Sequence, residues 1–119
     1  MAAAVLGVLF FVMRDRDFSL EDKFIELQTE GKILNYYVSD ESDIEAEKAL
    51  ITGFDGTIVY SISGFLDDKT VTVHQMQDAD EAKAAYELIL PLLNEGCTAK
   101  RDGKYLIYGH EELVKTVKL

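Results

Sequence analysis

Residues 71–80 read VTVHQMQDAD, and what stands on either side of this stretch decides the fold. Val71, Thr72 and Val73 open a run of strand formers, which predicts a strand from about Lys69 to Met76. Period-2 alternation puts Val71 and Val73 on one face of that strand and Thr72, His74 and Met76 on the other. Asp78 follows as a helix N-cap whose side chain can accept the amide of Glu81, with Glu81 expected to reach back and complete a capping box. Ala82, Ala85, Tyr86, Ile89 and Leu93 then recur at helical spacing, and Leu88 and Leu92 widen the stripe beyond the needs of one sheet face. Pro91 removes the amide that would bond the Glu87 carbonyl, so the helix is expected to kink or loosen in its last turn. Glu95-Gly96 leads into another strand-like run, which makes this part of the chain a β-α-β unit.

The same outline occurs near the start. VLFFVMRDRD, residues 8–17, aligns with VTVHQMQDAD: a β-rich stretch, then Met-x-Asp-x-Asp. Ser19 with Asp22 resembles a capping box, Leu20, Phe24 and Leu27 keep helical spacing, and Glu30-Gly31 ends the pattern as Glu95-Gly96 ends the second. Two β-α-β units are therefore expected, an outline that resembles ferredoxin-like sheets at the level of fold alone.

The apolar run MAAAVLGVLFFVM, residues 1–13, carries two readings. It is markedly shorter than the roughly 20 residues of a spanning helix, and it lacks both the basic n-region and the small-x-small cleavage site of a secretory signal. The repeat makes it a buried strand in a cytoplasmic protein. The alternative is an N-terminal membrane anchor, with membrane association through residues 1–13.

Between the two units, KILNYYV, residues 32–38, is rich in strand formers. SDESDIEAE, residues 39–47, is a solvated acidic connection or the start of a short helix. ALITGF is expected to pair with TIVYSIS across Asp55-Gly56, a dipeptide suited to a hairpin turn. Asp67 and Asp68 suit a turn beside Lys69, and CTAKR with KYLIYG makes a second hairpin at Asp102-Gly103. HEELVKTVKL closes the chain as a short helix, with Glu111 and Lys115 spaced for an i,i+4 pair. The expected architecture is one α+β domain over 1–119, a mostly antiparallel sheet with helices packed on one face.

Charge and composition exclude several functions. With 22 acidic against 12 basic residues, the formal charge is −10 and no basic stripe offsets it. Nucleic acid is thus not an expected partner, since its binding rests on Lys and Arg against phosphate. The single cysteine, Cys97, rules out an internal disulfide and a thiolate cage. His74 and His110 lack metal-ligand spacing. His74 reads as a packed or partly exposed structural histidine and His110 as a surface residue near an N-cap. The acids Asp40, Glu41, Asp43, Glu45 and Glu47 fit no EF-hand register, and Gly53, Gly56 and Gly64 are too far apart to cradle phosphate. Of Tyr36 and Tyr37, one must face the core and the other solvent.

No catalytic, cofactor-binding or metal residue set emerges. The expectation is a small non-catalytic binding or protein-interaction domain, with a protein partner or a homo-oligomer. The alternatives are a membrane-tethered or exported accessory domain, and a small enzyme using His74 or Cys97 in a pocket.

Overall fold

The structure, a computed structural model, describes residues 18–119. The strand or anchor read at residues 1–13 and the first copy of the repeat, residues 8–17, lie outside the described residues. In chain order the elements are α1 (Phe18–Thr29), β1 (Asn35–Val38), α2 (Glu41–Leu50), β2 (Ile58–Leu66), β3 (Lys69–Met76), α3 (Ala79–Ile89), β4 (Cys97–Asp102), β5 (Tyr105–His110) and α4 (Glu111–Val114). The strands form one sheet in the order β1-β2-β3-β5-β4, with every neighbouring pair antiparallel. β3 and β4, the strands joined by α3, consequently run parallel with β5 between them.

The sequence led us to expect the helices on one face of the sheet; they cover both, and β3 explains why. Every residue from Val71 to Met76 is buried, so both sides of this central strand are covered. On one side Val71 and Val73 join Tyr60, Ile62 and Ile107 beneath Leu20, Phe24 and Leu27 of α1 and Leu113 and Val114 of α4. On the other, Met76 joins Ile58, Ala99 and Leu106 beneath Ala82, Ala85 and Ile89 of α3, with Ile44 of α2 alongside. Each fully buried aliphatic or aromatic side chain contributes about 1.5–3 kcal/mol. The polar residues Ser61, Thr72 and His74 are buried as well. Their hydrogen bonds, described below, are what permit a helix to cover them.

Two-residue turns set the register. Leu66 opposes Lys69 across Asp67-Asp68, where Asp67 takes φ +55°, a conformation that Asp tolerates better than most residues. Asp102 opposes Tyr105, and Gly103 supplies the positive φ of the β4–β5 turn. Both turns match the sequence reading. α1 ends where Gly31 was expected to stop it: Lys32 N–H bonds the Leu27 carbonyl and Gly31 N–H bonds the Gln28 carbonyl, the paired contacts of a Schellman cap. α1 opens at Phe18, so Ser19 lies within its first turn and not ahead of it.

The hairpin across Asp55-Gly56 does not form. Asp40 and Asp43 make a reciprocal capping box that starts α2, and the helix runs through Leu50. Ile51 and Phe54 then enter the core from a loop, three residues apart where a strand would need alternation. β2 finds its partners in β1 and β3 instead.

Asp78 caps α3, its carboxylate accepting Glu81 N–H at 2.9 Å. Glu81 does not reach back; its Oε1 accepts the Thr57 amide at 3.0 Å and pins the loop before β2. Past Ile89 the α-helix gives way to a 3₁₀ turn, Leu90–Leu92, as Pro91 requires. The Glu111–Lys115 pair is not made either: Glu112 bonds Lys69 of β3 at 2.7 Å across the fold. No helix among the described residues is long and apolar enough to cross a membrane.

Gly109 is the backbone position least able to change. Its φ is +141°, and an added Cβ would strike the Thr70 carbonyl oxygen and lie 2.9 Å from Val71 Cα. Gly109→Ala should therefore cost more than about 2 kcal/mol in urea denaturation, whereas Gly103→Ala, facing open space, should cost about 1 kcal/mol.

Candidate functional site

Beneath α2 and α3, four side chains from four elements form a continuous polar chain. His74 on β3 sits directly opposite Ser61 on β2 and Leu106 on β5, and it has no exposed surface. Its Nδ1 lies 3.0 Å from Ser61 Oγ and its Nε2 2.8 Å from the Tyr108 hydroxyl. Ser61 Oγ in turn bonds Glu47 Oε1 of α2 at 2.8 Å, and the same carboxylate oxygen accepts Ser39 Oγ at 3.2 Å.

Counting protons fixes the direction of this chain. A carboxylate only accepts, so Ser61 donates to Glu47. Ser61 must then accept from His74, which places the imidazole proton on Nδ1. Nε2 is left as an acceptor for the Tyr108 O–H. Every proton points toward Glu47, and the neutral tautomer satisfies both ring nitrogens. Burial pushes the His74 pKa down from 6.5 to about 3, and it raises that of Tyr108, with the charge of Glu47 adding to the rise. The second Glu47 oxygen, Oε2, is buried with no hydrogen-bond partner among the described residues.

This arrangement organises the interior between α2 and the sheet, with His74 and Ser61 fully buried and Tyr108 and Glu47 partly so. His74 fulfils the packed structural role expected from its alternation with Val71 and Val73. Glu47, Ser61 and Tyr108 were missed. Glu47 was hidden in an acidic run, and Tyr108 was one of six tyrosines. A usable signal was present: Ser61 and Ser63 alternate with Tyr60 and Ile62 just as Thr72 and His74 alternate with Val71 and Val73. Two polar stripes on neighbouring strands pair with each other, as Ser63 and Thr72 also do at 2.9 Å.

The other candidates fall in two concavities. Cys97 lies opposite His110 on the β4–β5 ladder, and both line a cleft of about 350 Å³ with Thr72, Leu92, Leu93 and Tyr108. His110, expected to be a surface residue near an N-cap, is half-buried and is itself the N-cap of α4, with Nδ1 accepting the Glu112 amide at 3.2 Å, so that lone pair is committed to the backbone. No group of three or more His, Cys, Asp or Glu that could hold a metal occurs among the described residues.

The larger concavity is a groove of about 1030 Å³ where the first turns of α2 cross the start of β2 and the end of β3. β1 pairs with β2 only from Ile62 to Phe65, with Ser39 N–H on the Ser61 carbonyl as the last bond. β2 pairs with β3 on its other side from Ile58 to Leu66, with an irregular register between Ile58 and Tyr60. Ile44, Ile58 and Met76 form an apolar floor, and Glu41 and Glu45 stand on the α2 wall. The other acids of this segment are engaged by groups of the fold itself. Asp40 and Asp43 cap the helix, Asp43 also takes the Tyr37 hydroxyl at 2.6 Å, and Glu47 holds the serines. The bond from Tyr37 is the main reason that the Asp43 carboxyl titrates below its ordinary value. Tyr37 is the exposed member of the tyrosine pair and Tyr36 the half-buried one, as alternation required.

The buried imidazole makes stability depend on pH. The folded-state pKa of His74 lies below its unfolded value, so the unfolded chain takes up a proton first. Stability from this group is complete above pH 6.5 and is lost as pH falls toward 3, by about 1 kcal/mol per pH unit. Urea denaturation between pH 7 and 4 should show a steeper loss for the wild type than for His74→Gln, whose amide does not titrate. Tyr108→Phe leaves Nε2 without its donor and should cost about 1–3 kcal/mol at pH 7.

Comparison of the chain with protein-family models, with curated proteins and with solved structures finds no match in any of the three, so its function is read from the geometry above.

Proposed function

We propose that the chain is a small non-catalytic protein-interaction domain and that its binding surface is the groove between α2 and the start of β2. The observation that carries this reading is the groove itself, where the apolar side chains of Ile44 and Ile58 lie beside the exposed acids Glu41 and Glu45. The side chains best suited to proton transfer support the same reading, since His74 is enclosed and the His110 lone pair is engaged.

The small-enzyme alternative draws on Cys97, which shares its cleft with His110 and Thr72. No base is hydrogen-bonded to that thiol among the described residues, and the enzyme reading ranks behind the membrane-tethered or exported accessory domain. In fold terms β3-α3-β4 with β5 between the parallel strands is similar to one half of a ferredoxin-like sheet. We read the protein as cytoplasmic; the alternative, a membrane-tethered domain, turns on residues 1–13, which lie outside the described residues.

Selection of phage-displayed random heptapeptides on the full chain tests the interaction reading. Enriched peptides should lose at least about tenfold in affinity toward Ile44→Glu, which buries a charge in the groove floor. Enriched peptides that bind Ile44→Glu as well as the wild type would place recognition elsewhere and contradict it.

A further inference from the structure

We infer that α2 is an acid-released flap: as pH falls, uptake of a proton by His74 detaches α2 from the sheet and bares Ser61, His74 and Tyr108, while the other elements stay folded. The flap is independent of what the groove binds.

The hold of α2 on the sheet is mostly polar. None of its ten residues is buried; Asp43, Ile44, Glu47 and Lys48 are half-buried and the rest are exposed. Ile44 is the apolar side chain through which α2 touches the core. The other attachments end on carboxylates: Glu47 accepts Ser61 at 2.8 Å and Ser39 at 3.2 Å, and Asp43 accepts Tyr37 at 2.6 Å. α1 and α3 differ, each sinking several side chains into the core, Leu20, Phe24 and Leu27 from one and Ala82, Ala85 and Ile89 from the other. An element that buries so little apolar surface opens at a lower free energy than the whole fold. Its joints to the body are defined: Ser39 N–H bonds the Ser61 carbonyl ahead of it, and the buried Ile51 follows it.

What lies beneath α2 makes that opening sensitive to acid. Glu47 bonds Ser61, and its charge also reaches Tyr108, so the carboxylate stands over the row Ser61, His74, Tyr108. In the closed form His74 has no exposed surface, and burial holds its pKa near 3. Once α2 lifts, the ring meets water and returns toward 6.5. The open form thus binds a proton that the closed form refuses, and falling pH favours opening. Asp43 acts in the same direction at lower pH, because the Tyr37 bond lowers its pKa in the closed form and that contribution is lost on protonation. From the other elements on this side of the sheet, Tyr86 and Glu81 of α3 and Cys97 and Arg101 of β4 are the remaining ionisable groups. Glu81 is held on the Thr57 amide and Arg101 is exposed, and burial is the cause of the low His74 pKa.

The test is amide hydrogen exchange of the full chain, followed by NMR from pH 7.5 to 4.5, with each rate divided by its intrinsic value at that pH. Exchange reads an opening even where the open form is rare. Amides of residues 44–50 should be at least about tenfold less protected than those of Val73 and Ile107 at every pH. Their protection should also fall about a hundredfold across the range, with the decline setting in near pH 6.5. In His74→Gln, whose side chain does not titrate, the same amides should lose less than about threefold. Should that variant fail to fold, the wild-type profile decides, through the one-proton slope and its onset. Equal protection of α2 and β3, an α2 profile that is flat with pH, or an unchanged slope in His74→Gln would each overturn the inference.

Discussion

The fold depends on keeping a polar stripe dry. β3 runs through the middle of the sheet with every residue from Val71 to Met76 buried, and one of those residues is a histidine. An unpartnered imidazole at that position would carry a large desolvation cost and would keep α2 and α3 from closing over the sheet. The chain Tyr108→His74→Ser61→Glu47 removes that obstacle by giving each nitrogen and hydroxyl a partner of the right kind. It also ties β5, β3, β2 and α2 into one register, because a slip of one residue would turn these groups to the other face.

That constraint organises the division between structure and surface. Residues that ordinarily signal reactivity are absorbed by the interior or by caps: His74 in the hydrogen-bond chain, His110 at α4, Asp40, Asp43 and Asp78 at helix starts, Glu81 on the Thr57 amide. Glu47 is the link between the two realms. It belongs to the same helix that presents Glu41 and Glu45 to the groove, so the hydrogen bonds that fix α2 on the sheet also set the orientation of its outer face.

Local chemistry was legible from the sequence wherever a signal was contained in a few neighbouring residues. The Gly31 stop, the turns at Asp67-Asp68 and Gly103, the Asp78 cap and the break at Pro91 all depend on contacts within one turn of chain. What misled was long-range. ALITGF has strand-like composition, but Ile51 and Phe54 are anchored by the far core and α2 is nucleated by a capping box upstream. Glu81 has the spacing to cap its own helix, yet a loop amide 24 residues away takes its carboxylate. The coverage of both faces was illegible for the same reason: whether a polar side chain can be buried depends on partners on other strands. The groove was not visible at all, since its walls come from α2, β2 and β3, which are far apart in the chain.

The most direct test of this account is the state of the His74 ring in solution, read from its two ¹⁵N shifts in a long-range ¹H–¹⁵N correlation spectrum. The account requires a neutral imidazole with the proton on Nδ1, unchanged from pH 7 to below pH 5. A ring protonated on Nε2, or one that charges near pH 6.5 while the protein remains folded, would contradict it.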